Sequence, residues 1–454
     1  MLPRAHFILV FSMFIAFVVT TPAVAQVEPS ATGNAGGSLD ESEMMTPPPV
    51  SGMPYANTAG SDARSNYLAT NVTFSPAYID NVLPGAGSAP VSAVSYSILP
   101  SVSLDRSAPR QKEQFTYSPS FTFYEPASNE PTSNLDSIDQ NATVAFQYRF
   151  NPEVAFNVQD NFTRTSNVYN STFLFSNPIS GATITPAPTV IAPFAEELVN
   201  IANGAVSYQF GRNAMVGVGG SSTTFDLPNP ASAVGLFNSN GVGGEVFYNR
   251  RLSRNQYFGL TYQYSRVVAQ PSNGVSGTQT HSLLPFYTIY FNQTFSFSVS
   301  AGIQRVDSSE TGFPDFNSWS PSITASVGWQ RNRGNLAASF SHTVIAEEGL
   351  LGAYNSNNAS GSGGWKLART WSGGFSVGYS SINSATPAAI SSIPSGNTLT
   401  AAGTLQHSIG ERFSASFQYQ HLHETYNIPA INADPDSNRE SLTITYQLRR
   451  PLGR

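Results

Sequence analysis

Between Thr294 and Gln304 the chain alternates without exception: Phe295, Phe297, Val299, Ala301 and Ile303 are apolar, and the residues between them are small or polar. Successive side chains of a strand point to opposite faces, so this segment has one greasy face and one wet face. Two architectures satisfy such a pattern. In a soluble sandwich the greasy face is buried against a second sheet; in a transmembrane barrel it meets lipid and the wet face lines a lumen. The alternation recurs from about Tyr67 to the C-terminus, with apolar faces such as Val144/Phe146/Tyr148/Phe150, Phe258/Leu260/Tyr262/Tyr264, Trp319/Ile323/Ala325/Val327/Trp329, Phe413/Ala415/Phe417/Tyr419 and Leu442/Ile444/Tyr446/Leu448. Ser, Thr, Gly, Asn and Gln fill the positions between.

Charge separates the two architectures. Only 11% of the residues are charged, against roughly 25% in a soluble domain, so much of the surface of this chain must lie somewhere other than water. No stretch of about 20 apolar residues follows the N-terminus, which excludes spanning helices and leaves strands. Arg4 and His6 precede the apolar run Phe7 to Val19, and Ala23-Val24-Ala25 forms a small-residue cleavage site, the pattern of an export signal covering residues 1–25. Residues 26–64, rich in Gly, Ser and Pro, read as a flexible periplasmic segment, and 65–454 as the barrel. The absence of cysteine excludes a disulfide framework and a thiolate metal site.

Tight turns are expected at Asn151-Pro152, Gly211 to Asn213, Arg251 to Arg254, Asn292-Gln293, Arg331 to Gly334 and Gly410-Glu411, with long polar loops between them. Transmembrane barrels sort their connections this way, short in the periplasm and long outside. Consistent parity requires one further weak strand, placed near Ser384 to Ile390. The expected fold is therefore all-β: an up-and-down antiparallel transmembrane barrel of about 18 strands, sixteen being the alternative. Either size encloses water, whereas about eight strands would fill their interior with side chains.

Two stretches carry a resemblance. Ser441 to Leu448, S-L-T-I-T-Y-Q-L, resembles the C-terminal signal of outer-membrane barrels, with Tyr446 and Leu448 at the expected spacing and Arg449 to Arg454 as a tail after the strand. Tyr78 to Asn81, Y-I-D-N, is similar to the Y-D-D-N that follows the first strand in a family of outer-membrane β-barrels, some associated with exopolysaccharide gene clusters. The resemblance implies residence in the outer membrane, contact with its lipid, and handling by the barrel-assembly machinery through the last strand.

Functional expectations follow from which face each residue occupies. Arg149 and Glu245 are the main charges whose parity points inward, and a lumen so poor in like-charge rings has no ion filter. A porin-like passage for small hydrophilic, preferably neutral solutes is expected; a barrel for exopolysaccharide export or surface attachment is the alternative. The longest loop, Ser166 to Ala202, contains Glu196 and Glu197 and is expected to fold inward as a constriction, as the loop after the fifth strand does in the general porins this arrangement resembles. Arg164, Arg266, Arg305 and Arg369 share the lipid-facing phase and are expected at extracellular ends, a girdle for lipopolysaccharide phosphates. His421 and His423 share a face without a third placed ligand. No nucleophile elbow, zinc-protease helix, phosphate loop or nucleic-acid surface occurs, so neither catalysis nor a cofactor is expected. The sequence does not specify an oligomeric state.

Overall fold

The computed structural model describes residues 66–82, 91–108, 110–126, 136–165, 196–211, 213–228, 236–271, 274–292, 294–311, 314–331, 333–346, 351–385, 395–426 and 436–452. The expected signal peptide, the segment 26–64 and residues 166–195 of the long loop lie outside them. In chain order the strands are β1 (Tyr67–Ile79), β2 (Ala93–Ala108), β3 (Gln111–Pro126), β4 (Ser137–Arg149), β5 (Val154–Thr165), β6 (Glu197–Phe210), β7 (Ala214–Asp226), β8 (Ser239–Ser253) and β9 (Gln256–Ala269). They continue as β10 (Ser276–Asn292), β11 (Phe295–Glu310), β12 (Phe316–Arg331), β13 (Gly334–Ile345), β14 (Tyr354–Lys366), β15 (Trp371–Ser384), β16 (Gly396–Ile409), β17 (Phe413–Tyr426) and β18 (Asp436–Pro451). Each pairs antiparallel with its sequence neighbours, and β1 also pairs with β18, closing one 18-stranded sheet on itself.

Closure removes the sheet edges, and the alternation then decides what faces where. On the outside, Phe258, Leu260 and Tyr262 of β9, Phe297 and Ile303 of β11, and Phe417 and Tyr419 of β17 are exposed although large and apolar. Water would penalise that surface; lipid does not. Stacked and tilted rings mark the level of one membrane interface, among them Phe210 with Tyr248, Trp365 with Phe375, and Phe413 with Tyr446. Inside, hydroxyl pairs bridge neighbouring strands, such as Ser97 with Thr122 at 3.0 Å and Thr288 with Ser298 at 2.7 Å. An apolar belt around a closed, hydroxyl-lined barrel is the architecture of an outer-membrane protein.

The connections are sorted as expected. One rim carries only short turns, from 109–110 to 367–370; the other carries connections from 311–315 up to 166–196. By the rule for transmembrane barrels the first rim is periplasmic and the second extracellular. The short turns are set by local chemistry. Gly211 and Gly410 take φ of 70° and 69°, the left-handed conformation that glycine adopts without cost. The Asn151 Oδ1 accepts from the Glu153 and Val154 amides at 2.9 and 2.7 Å, and Asn292 Oδ1 does the same for Thr294 and Phe295.

Three expectations need correction. The strand that restores parity is β14, whose Asn, Ser and Gly residues hide its alternation, and a short turn at 367–370 follows it; of the site expected for the extra strand, Ser384 ends β15 and residues 386–390 lie outside the described residues. The connection after β5 ends at 196, because Glu197 to Ala202 already pair as the start of β6. Arg449 and Arg450 belong to β18, paired with Ala69 and Leu68, so the strand continues past Leu448.

The Y-I-D-N stretch has a structural role. Asp80 follows β1 directly, and its carboxylate accepts from both the backbone amide and the side-chain amide of Asn438 on β18, each at 2.6 Å. Asn81 donates to the Asp436 carbonyl at 3.0 Å, and Ser437 donates back to the Asn81 carbonyl at 2.8 Å. Together they clasp the first strand to the last at the extracellular rim.

Candidate functional site

The lumen is built from the inward-facing half of every strand. Most of its side chains carry hydroxyls or amides because the sequence places Ser, Thr, Asn and Gln opposite each lipid-facing residue. Arg149 stands at the periplasmic end of β4 on the inward phase. Glu245 of β8 is inward too, and lies across Gly219 of β7, where an added Cβ would come within 2.9 Å of its Oε1. Further inward charges were missed. Asp105 of β2 and Lys112 of β3 share the phase near the periplasmic end, and Asp139 of β4 and Arg439 of β18 are buried near the extracellular end. Extending the alternation to the ends of these strands would have found them. Arg251, Lys366 and Arg449 share the inward phase near the periplasmic end, and Glu197 and Glu310 near the extracellular end, so bases outnumber acids at the first level and acids outnumber bases at the second, with both signs present at each.

The lumen wall is not uniformly polar. In the periplasmic half, Met215 of β7, Phe247 of β8 and Tyr257 of β9 pack together with Tyr290 of β10 against them. Glycine on the neighbouring strand makes room for such rings. A Cβ at Gly217 would meet Phe247 at 2.2 Å, and one at Gly259 would meet Phe286 at 2.3 Å. Because these rings are themselves almost fully buried, they thicken the wall and narrow the passage, and offer little face to a solute. The signal was present in the sequence: Phe247 and Phe286 fall on the polar phase of their strands.

Glu196 and Glu197, expected together at a constriction, are separated by the alternation. Glu197 begins β6 on the inward phase. Glu196 instead forms an ion pair with Arg164, whose Nε donates to it at 2.7 Å, and it occupies the outward phase. The long loop 166–195 that was to narrow the channel lies outside the described residues. Another element does reach inward. At the extracellular end of β13, Val344 packs with Val306 of β11 and with Ala353, and Gln304 of β11 hydrogen-bonds to the Val344 backbone. Gln304 and Val306 are on the lumen face of β11, so the end of β13 passes on the lumen side of β12.

The four arginines of the expected girdle do not occupy one level. Arg164, Arg266 and Arg305 lie at extracellular strand ends, but Arg369 sits in the turn 367–370 at the periplasmic rim, because β14 returns the chain there first. Arg305 bonds Asp307 at 3.0 Å and Arg164 is held by Glu196, so two of the cations already have carboxylate partners. The histidines are likewise engaged: His281 with the Tyr262 hydroxyl at 2.8 Å, His342 with Asn357 at 2.7 Å, His421 with Asn438 at 2.8 Å, and His423 with Asp436.

No protein-family model matches the chain, and no curated protein sequence is similar to it. Among solved structures, OccAB4 of Acinetobacter baumannii superimposes with a TM-score of 0.40 at 8% identity, over 86% of this chain and 100% of that one. OpdQ of Pseudomonas aeruginosa gives 0.41 at 8% identity, over 85% and 99%. The FrpB iron transporter of Neisseria meningitidis (F3-3 variant) gives 0.43 at 7% identity, over 86% and 84%.

Proposed function

We propose that the barrel is a porin-like channel through which small hydrophilic solutes, neutral ones in preference, diffuse across the outer membrane. The observation that carries this reading is the lumen face: hydroxyl and amide side chains dominate it, and its charges, among them Arg149, Asp105, Glu245 and Lys112, are of both signs. Such a surface replaces the hydration of a sugar-like solute hydroxyl by hydroxyl, while no ring of like charge concentrates one kind of ion. An 18-stranded wall is wide enough to hold water after its side chains are placed. Narrowing comes from the aromatic layer on β7 to β10 and from the inward end of β13, and deletion of the connection after β5 decides whether it adds to them. Arg266, together with Arg164 and Arg305, meets lipopolysaccharide at the extracellular rim.

Conductance in planar bilayers tests the reading, using the signal-cleaved chain and a variant lacking residues 167–194, a deletion that leaves Glu196, Glu197 and β6 intact. The expected result is a stable conductance with a reversal potential near zero in a salt gradient, and a larger conductance after the deletion. A steep anion or cation preference would defeat the neutral-solute assignment. Silence from both folded proteins would transfer the reading to exopolysaccharide export or surface attachment.

A further inference from the structure

One ladder of the wall is incomplete. The β12–β13 ladder runs from Arg331↔Gly334 to Ile323↔His342 and stops, although β12 extends to Phe316 and β13 to Ile345. On its other edges each strand stays paired, β12 with β11 as far as Phe316 and β13 with β14 as far as Ile345. Phe316 to Ser322 therefore have no ladder partner on the β13 side.

Pro321 explains the stop. Arg331 and Gly334 flank a two-residue turn and exchange hydrogen bonds, and such pairs recur every second residue, so Pro321 opposite Val344 would be the next one after Ile323 and His342. That pair needs the residue at 321 to donate to the Val344 carbonyl, and proline has no N–H. The same proline costs nothing on the β11 side, where even-numbered residues bond; Gln330, for example, donates to Thr294 at 2.7 Å. Gln304 supplies what Pro321 lacks. Its Nε2 donates to the Val344 carbonyl, and its Oε1 accepts from the Val344 amide at 3.0 Å and from the Thr343 hydroxyl at 3.1 Å. One side-chain amide on β11 thus replaces the β12 backbone as the partner of Val344, and it holds β13 on the lumen side.

The break lies at the level of the outer leaflet. Trp329 and Trp319 share the lipid-facing phase of β12 and are separated by ten residues, roughly 25 Å of height for a strand tilted about 40°. That equals the lipid-facing belt, so Trp319, 65% exposed, marks the outer interface. The ladder ends at Ile323, below Trp319 and hence within the outer leaflet. Its outer lip is formed by Trp319, Pro321 and Ile323 and its inner side by the half-buried Ser318 and Ser320, with Ser322 buried beneath the end of β13; 316–323 and 342–345 contain no Asp, Glu, Lys or Arg.

We propose that this break between β12 and β13 is a lateral portal between the lumen and the outer leaflet, suited to an amphiphile with an alkyl chain and an uncharged, hydroxyl-bearing head. The chain stays against the aromatic outer lip while the head exchanges hydrogen bonds with the serines. A passage of this kind adds to diffusion along the barrel axis and does not depend on which water-soluble solute takes that route.

The chain has no cysteine, so paired cysteines can probe the wall cleanly. Ser322→Cys with Thr343→Cys would face each other if the ladder continued; Ser326→Cys with Ser339→Cys, a pair within it, is the control. The expected result is rapid oxidation of the control and none of the 322/343 pair, until Pro321→Val and Gln304→Ala are added and the strands zip. In vesicles, cross-linked 322/343 protein in that background should lose passage of a fluorescent dodecyl glycoside to the level of protein-free vesicles, with osmotic swelling by glucose unchanged. Oxidation of 322/343 in the otherwise native chain at the control rate would show that the wall is closed. Undiminished glycoside passage through fully cross-linked protein would overturn the portal. Failure of glucose swelling in the native protein would instead count against the channel reading and leave the cross-linking result standing.

Discussion

The barrel has two seams that differ from the rest. At β18–β1 the two ends of the barrel meet, far apart in sequence, and the seam is sealed twice over: by a ladder that runs from Tyr67↔Pro451 to Ile79↔Arg439, interrupted at Ser75 and Pro76 alone, and by the clasp of Asp80 and Asn81 on Asn438, Ser437 and Asp436. At β12–β13 the strands are joined by a two-residue turn, yet their upper halves part. Chain proximity therefore does not decide where the wall is tight. Closing the β18–β1 seam costs the most loop entropy, and charge-assisted side-chain bonds help to offset it. The local hairpin forms at little entropic cost, so a single proline can hold part of it open.

The largest change in this contrast should come from Asp80→Ala. It removes two short hydrogen bonds to a carboxylate and leaves Asn438 unsatisfied, a loss of about 3 kcal/mol, read as a lower urea midpoint for the heat-modifiable folded form in detergent. Gln304→Ala comes next. Freeing the Val344 amide and carbonyl should cost about 2 kcal/mol by the same measurement, and it should leave the β18–β1 seam intact. Asn81→Ala removes one neutral donor from the clasp, for about 1 kcal/mol; a loss equal to that of Asp80→Ala would mean that the carboxylate is not the main fastener. Pro321→Ala is expected to move the midpoint by less than about 0.5 kcal/mol, while speeding oxidation of the 322/343 cysteine pair. A change in stability without a change in cross-linking would show that Pro321 does not terminate the ladder.

Much of this was legible in the chain. Strict alternation, scarce charge and sorted turns give a transmembrane barrel of about 18 strands, with sixteen left open, because each depends on which face of a strand meets lipid. β14 was not legible: with Asn355, Asn357, Ala359, Gly361 and Gly363 on its outward phase and only Trp365 at its end to mark the lipid face, it has little apolar alternation to read, and the periplasmic position of Arg369 was lost with it. The pairing of Glu196 with Arg164 was hidden as well, since they stand on either side of a long connection and meet only when β5 and β6 align.

The sequence by itself determined the strand periodicity, the lipid and lumen faces, and the local turns, because alternation and turn chemistry act over a few residues. Only the tertiary structure decided where the wall closes. The partners of Asp80 and of Gln304 are chosen by register between strands: Asn438 lies far along the chain from Asp80, and Val344 belongs to a strand that must cross the inner face of β12 before Gln304 can reach it. Pro321 was visible from the start, but its missing N–H gained meaning only once the ladder showed which neighbour it would have faced.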